Sequence, residues 1–310
     1  MFVLNDSDVA EILTWPKLID ALQLAFLQRQ EKKAFIMPER QVISRENATY
    51  LSMPCLDSEG WFGVKQVSVL PQNYKIKKET VQAQYTLFDP SGTPVLTAAA
   101  DLLTKMRTAA VSALAARYLA KANANSLLLI GTGSLAPYMA KAHMFVTNYS
   151  ALMLWGRNSA KAKLLSENLS KEANMEFKVI KSLTDALAEA DVVTIATTAN
   201  SPIVFKDMTH KGQHFDIVGA FKGDMIELEP NLIKSSSVFV DDIPSCKLEA
   251  GDLIQAAQQG WSFEEIRADL SQIVNKKEVR KNDKEITVFK SVGLALEDLV
   301  AAKILYKAVS

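Results

Sequence analysis

The stretch LLLIGTGSLAPYMAKAHMF, Leu127 to Phe145, decides the fold. It sets a continuous apolar run against a turn with two glycines and then continues in a helical pattern. In a doubly wound sheet the first strand-to-helix turn carries phosphate, because backbone N–H groups and the positive end of the helix face it. Gly131 permits the tight turn and Gly133 lets a pyrophosphate approach the backbone, while Ser134 and Leu135 present N–H groups at the helix start. The dinucleotide fingerprint places a third glycine where the helix packs on the strand; Ala136 stands there and is small enough to serve. A two-glycine turn is weak on its own. The order of strand, turn, helix and a second strand end about 25 residues on strengthens it.

Working outward, the chain after Asn125 alternates apolar runs with helical stretches. SLLLIG, ALMLWG, FKVI, DVVTIAT, HFDIVGA and SSVFVDD are the runs, and SAKAKLLSENLSKEA and LTDALAEA are among the helices. Apolar strands interleaved with helices predict a parallel sheet covered on both faces. The second strand ends in LWGRNSAKA, where ribose is read. An acidic residue there would accept from a free 2′-hydroxyl, but the sequence supplies Gly156, Arg157 and Asn158. A guanidinium fork suits a 2′-phosphate, so NADPH is preferred and NADH remains possible. Thr197 and Thr198, and Gly219, Ala220 and Phe221, end later strands at the edge where cofactor binds.

Upstream the pattern differs. Asp6 or Ser7 is positioned to cap a first helix, and Leu18, Leu22, Ala25 and Phe26 continue helical spacing after Pro16. RQVIS, ATYLSMP, WFGVKQVSVL and VQAQYTLFD follow as strands without intervening helices, which indicates an antiparallel or mixed sheet. LLTKMRTAAVSALAARYLAKA lacks internal glycine and proline and reads as one helix leading into the next domain. The final segment, EITVFKSVGLALEDLVAAKILYKAV, ends in a helix that is expected to pack back on the N-terminal domain. The fold class is therefore α/β: a Rossmann doubly wound sheet over 119–293, plus an α+β domain over 1–118 completed by 294–310.

Composition narrows the function classes. The 310 residues hold 35 Lys+Arg against 35 Asp+Glu and are 48% hydrophobic, so no nucleic-acid partner is indicated. No secretory signal or membrane span is evident, and the expectation is a soluble cytoplasmic protein. Cys55 and Cys246 are the only cysteines, too few for a disulfide framework and not spaced for zinc. His143, His210 and His214 form neither a triad nor a metal set and read as structural or surface groups. No metal is expected.

From RTAAVSALAARYLA (Arg107 to Ala120), preceding LLLIGTGSLAP, the chain resembles the ornithine cyclodeaminase/μ-crystallin family. The resemblance extends through MPER (Met37–Arg40), MP (Met53–Pro54), GVKQVSVLPQN (Gly63–Asn73), SGTPVL (Ser91–Leu96), DDIPSCKLEAGDL (Asp241–Leu253) and KSVGLALEDLVAA (Lys290–Ala302). It implies an N-terminal substrate and dimerisation domain, a homodimer, and hydride chemistry at a carbon bearing nitrogen and carboxylate. Ornithine cyclodeaminases carry a Glu just before the MP pair and an Asp after the glycine of the VG strand. Here those positions align with Leu51 and Phe221, so the carboxylates that handle amine protons are missing. GTGSLAPYMAKAH, LWGR and VGAFKGDMIE look instead like the bacterial branch that reduces Δ1-pyrroline-2-carboxylate to L-proline and Δ1-piperideine-2-carboxylate to L-pipecolate. Alanine dehydrogenase and ornithine cyclodeaminase are the enzymatic rivals, and a μ-crystallin-like cofactor or ligand carrier is the non-enzymatic one.

The resemblance also distributes roles. Arg40, Lys65 and Arg107 match the family's basic substrate positions: the arginines would hold the carboxylate of a small cyclic imino acid, and Lys65 would protonate the imine. Arg107 fits a cofactor phosphate equally well. Met53 and Asn73 fall beside the substrate, and Ser291 with Gly293 resembles the nicotinamide-side loop. Asp224 and Glu227 lie near the expected cleft as partners for a cation. On residue chemistry alone Lys65 is a solvent-facing strand lysine, Arg40 a surface ion-pair member, Asn73 a turn residue and Arg157 a solvated strand end.

Overall fold

In the computed structural model, which describes residues 1–30, 34–276 and 279–310, the N-terminal elements are β1 (Phe2–Leu4), α1 (Asp6–Ile12), α2 (Trp15–Gln28), β2 (Phe35–Ile36), β3 (Gln41–Arg45), β4 (Ala48–Asp57), β5 (Phe62–Val69), β6 (Val81–Phe88), β7 (Pro94–Ala99) and α3 (Ala100–Leu119). They are followed by β8 (Ser126–Ile130), α4 (Ala136–Val146), β9 (Ala151–Trp155), α5 (Ser159–Ala173), β10 (Phe177–Val179), α6 (Leu183–Glu189), β11 (Val192–Ile195), β12 (Asn200–Val204) and β13 (His214–Ile217). The last elements are β14 (Ile226–Leu228), α7 (Pro230–Lys234), β15 (Ser237–Val240), α8 (Ile243–Glu249), α9 (Gly251–Gln258), β16 (Ala268–Asp269), α10 (Leu270–Asn275), β17 (Thr287–Lys290) and α11 (Ala295–Val309). Two units result: Met1–Ala110 with Gly293–Ser310, and Val111–Val292.

In the first unit β7, β6, β5, β4 and β2 form an antiparallel run, β3 hairpins onto β4, and β1 adds to β7 in parallel, so the sheet is mixed. The first helix is capped by Asn5, one residue before the expected Asp6 or Ser7. Its side chain accepts from the Ser7 and Asp8 N–H groups at 2.8 and 3.1 Å, and Asp8 accepts from Asn5 N–H at 2.8 Å, which closes a capping box. Alternation along the strands separates two faces. Met53, Lys65, Tyr85 and Ala98 lie opposite one another across β4, β5, β6 and β7, and all are buried. That face packs against α11, which also packs on α2. On the other face Gln41, Ser52, Gln66 and Gln84 form one cross-strand row and Ile43, Tyr50, Ser68 and Gln82 the next.

The second unit is an eight-stranded sheet in the order β10-β9-β8-β11-β13-β17-β15-β16, with every pairing parallel. Strands β8, β11, β13, β15 and β17 are buried at every residue, as burial on both faces requires. The chain winds one way from β8 to β9 and β10 and the other way to β11 and β13. The switch point therefore lies between the carboxyl ends of β8 and β11, where open α/β sheets bind ligands. A separate pair, β12 with β14, follows β11 and was not foreseen from the sequence. Among the described residues no helix is long and apolar enough to cross a membrane.

Candidate functional site

Strand β8 leads into the turn at Gly131, whose φ of 121° belongs to the region that glycine tolerates. A Cβ there would come within 2.5 Å of the Ala196 carbonyl oxygen, so the close passage of the β8 and β11 ends also requires glycine. At Gly133 a Cβ would meet nothing within 4 Å, which leaves the backbone open to a ligand. Ser134 and Leu135 precede the first residue of α4, Ala136, which is buried where the helix packs on the strand. A cavity of about 850 Å³ opens at this switch point, between the ends of β8 (Gly131, Gly133), β9 (Gly156, Arg157) and β11 (Thr197, Thr198). Asn158 and Lys161 line it too. No aspartate or glutamate is among the described lining residues. Arg157 is exposed at the rim, and Asn158 uses its side-chain oxygen to cap α5 through the Lys161 N–H at 3.0 Å. Exposed backbone at a helix start with two cations at the ribose end suits the phosphates of a dinucleotide.

Gly219, Ala220 and Phe221 do not line this cavity; Gly219 adjoins Thr197 behind it, Ala220 is buried, and Phe221 is 42% exposed. Ser291 donates to Asp241 at 2.9 Å. His143 pairs with Asp216 at 3.0 Å and His214 with Thr287 at 2.9 Å, both buried. Burial lowers the His214 pKa to about 3. His210 contacts the Lys211 carbonyl. None of the three lines the cavity.

The first unit assembles a second constellation. Lys65, on the inner face of β5, is 2% exposed and its Nζ lies 2.9 and 2.7 Å from the two carboxylate oxygens of Asp298, which is fully buried. Thr104 Oγ1 stands 3.4 Å from the same nitrogen. Arg107, one turn beyond Thr104 on α3, donates from Nε to Asp298 Oδ1 at 3.1 Å and from Nη1 to Glu297 Oε2 at 2.6 Å. Glu297 and Asp298 occupy the first turn of α11, where the helix dipole favours carboxylates. Arg40 donates to the Gly293 carbonyl at 3.3 Å, and a Cβ on Gly293 would strike the Arg107 guanidinium. Gly293 thus adjoins the basic cluster. Met53 is Lys65's cross-strand neighbour. Asn73 donates to the Glu79 carbonyl of its own loop at 2.9 Å.

Burial is the main cause that lowers the Lys65 pKa, to about 8; the Arg107 charge adds to it, while Asp298 opposes both and Arg40 lowers it further. Burial alone would lower Arg107, but Asp298 and Glu297 raise it above its ordinary value. Asp298 thus pairs with both Lys65 and Arg107, and Glu297 pairs with Arg107. Sequence reasoning missed the two acids. The signal was an adjacent Glu-Asp pair set among the apolar residues of the first turns of the last helix.

The all-parallel sheet with its cavity at the switch point makes the second unit a Rossmann-type dinucleotide-binding fold. The sequence profile of the ornithine cyclodeaminase/mu-crystallin family matches residues 1–310, and the chain belongs to that family. Among its relatives, the Delta(1)-pyrroline-2-carboxylate reductase of Bacillus cereus (strain ATCC 10987) is 34% identical, over 99% of this chain and 96% of that protein. The structure of Thermococcus litoralis Delta(1)-pyrroline-2-carboxylate reductase in complex with NADH and L-proline superposes with a TM-score of 0.93 at 33% identity, covering 99% of this chain and 97% of that one. An archaeal alanine dehydrogenase dimer with bound NAD gives 0.92 at 26% identity, covering 99% and 95%.

Replacing Asp298 by Asn keeps the shape but leaves Lys65 and Arg107 buried with less negative charge. Unfolding in urea should show a loss of about 3 kcal/mol or more. A change below about 0.5 kcal/mol, the size expected of a surface substitution, would contradict the buried pairing.

Proposed function

We propose that this protein reduces cyclic ketimines, converting Δ1-pyrroline-2-carboxylate to L-proline and Δ1-piperideine-2-carboxylate to L-pipecolate. The observation that carries the reading is the gathering of Arg40, Lys65 and Arg107, the last two buried, which suits a substrate with one carboxylate beside an imine. Reduced nicotinamide, when bound, supplies a hydride to the imine carbon. Arg40 and Arg107 bind the carboxylate and orient the ring. Lys65 gives a proton to the ring nitrogen as the C=N bond becomes C–N, and regains one from solvent. One methylene changes binding in a pocket by only about 1–3 kcal/mol, so the two ring sizes are to be assayed side by side. Oxidation of NADPH on adding pyrroline-2-carboxylate tests the reading. Turnover only with pyruvate and ammonia would favour alanine dehydrogenase, ammonia release from ornithine would favour a cyclodeaminase, and cofactor binding without any turnover would favour a carrier.

Lys65→Met keeps most of the stem but removes the proton, and kcat/KM should fall by at least about 100-fold while NADPH affinity changes little. In the wild-type enzyme kcat/KM should decline as pH rises through about 8, because above that value the depressed Lys65 has lost its proton. Unaltered turnover in Lys65→Met would remove the lysine from the mechanism.

The cofactor preference follows from the rim of the cavity. Arg157 and Lys161, with no acidic neighbour among the lining residues, favour NADPH over NADH. Arg157→Ala should raise the KM for NADPH about tenfold or more and leave that for NADH nearly unchanged, since only the former loses a charge-assisted contact. Equal changes would end the preference.

The protein is further proposed to be a homodimer through the outer face of the first unit's sheet. Ile43 and Tyr50 are 71% and 50% exposed there, among uncharged glutamines and serines. Light scattering should give the mass of two chains, and Tyr50→Glu should shift it toward one.

A further inference from the structure

Behind the cavity lies a carboxylate that the reaction does not use. Glu227 sits on β14, fully buried, and does not line the cavity. Its Oε1 accepts from the Thr197 backbone N–H at 2.7 Å and from the Thr197 hydroxyl at 2.8 Å, and its Oε2 accepts from the Gly219 N–H at 2.8 Å. One side chain thus straps the segment after β11 to the segment after β13. The fit is close: a Cβ on Gly219 would collide with both the Thr197 carbonyl and the Glu227 carboxylate. Glu227 is itself held, because its N–H and that of Leu228 donate to Asp252 Oδ1 at 2.7 and 2.9 Å. Asp252 Oδ2 in turn takes Lys290 Nζ at 3.1 Å, with both side chains fully buried.

We infer that Glu227 is a positioning residue for the cofactor, its ionised carboxylate holding Thr197 at the cavity wall by tying it to the Gly219 segment, and its protonation loosening both. The inference rests on reading the switch-point cavity as the cofactor site. An ionised carboxylate is acceptor-only and meets three donors; once protonated it carries a donor of its own and loses its charge-assisted bonds. Burial pushes the Glu227 pKa up to about 7, with Lys290 opposing and Asp252 adding to the rise. Those two are the charged groups facing it, from β17 and α9; β12 contributes no titratable residue. Asp241, at the end of β15, is engaged by Ser291 and Val292. Lys222 and Asp224, earlier in the same connection, are exposed, so Asp224 does not share this role.

The test is amide hydrogen exchange at Thr197 and Gly219 in cofactor-free protein, corrected for intrinsic rates, beside NADPH and NADH dissociation constants from nicotinamide fluorescence. In the wild type, protection and affinity should both weaken as pH falls through about 7. Glu227→Gln puts an amide donor against one of the backbone donors. It should lose about tenfold in affinity above that pH, roughly the worth of one hydrogen bond to a charged group, show no pH dependence, and converge with wild type in acid. Protection in the wild type that does not titrate overturns the inference, whatever the variant does. So does a variant weakened equally at every pH, which is how a purely structural residue behaves. If the wild type binds neither dinucleotide, the cofactor reading fails, whereas protection that titrates in the same sample upholds the strap.

Discussion

Asp298 accepts hydrogen bonds from Lys65 and Arg107 where neither cation has appreciable contact with solvent, and this shared carboxylate constrains the whole first unit. Taking an ion out of water costs several kcal/mol even after relaxation, and an ion pair recovers that cost only with good geometry and further hydrogen bonds. Three elements must therefore meet in one register: β5 to present Lys65, α3 to present Thr104 and Arg107, and α11 to present Glu297 and Asp298. The last helix of the chain belongs to the first unit for that reason, and its apolar contacts with α2 and the sheet complete the same face. A slip of one residue in β5 would turn Lys65 to the outer face, bring Gln66 inward in its place, and leave two buried carboxylates facing Arg107 alone.

The second unit solves a different problem with related means. A parallel sheet buried on both faces leaves its functional groups only at the strand ends, so the connections after β8, β9 and β11 carry the cavity. Such connections owe their geometry to what stands behind them. Gly131 fixes how closely the β8 and β11 ends pass, and Glu227 ties the β11 end to the β13 end. Asp252 and Lys290 hold Glu227 from α9 and β17. A chain of buried polar groups thus runs along the carboxyl edge, and partly satisfied networks of this kind are costly enough that each member needs the others.

Much of this was legible in the sequence because it depends on local signals. Fully apolar runs with helical spacers specified a parallel sheet, and Gly131, Gly133 and Ala136 announced the turn at its switch point. Arg157 stood out because it occupies a position where the local chemistry expects an acid. The pair β12 and β14 escaped notice because NSPIV and IEL are short and carry no alternation. Asn5 caps the first helix in place of Asp6 or Ser7, since Asp8 three residues on completes its capping box. The acids Glu297 and Asp298 and the strap at Glu227 escaped for a deeper reason. Their meaning lies in partners distant in the chain, 233 residues away for Lys65 and Asp298, and a carboxylate's burial cannot be read from its neighbours in sequence. Gly293 illustrates the same limit: that the Arg107 guanidinium occupies the space its Cβ would need is a contact between residues far apart in the sequence.

The composition of the basic cluster also bears on where a proton can come from. A guanidinium is not deprotonated in a protein, so of three cations only Lys65 can yield one. Its pKa of about 8 is set by opposed effects: burial, Arg107 and Arg40 favour the neutral amine, and Asp298 favours the ammonium. Without Asp298 the amine would lose its proton too readily and arrive uncharged; without burial and the arginines it would hold the proton too firmly to release it near neutral pH. The two arginines therefore bear on the acidity of the lysine as well as adding charge to the cluster. The acids on α11 act on the same groups: Asp298 takes the Lys65 ammonium directly and shares Arg107 with Glu297.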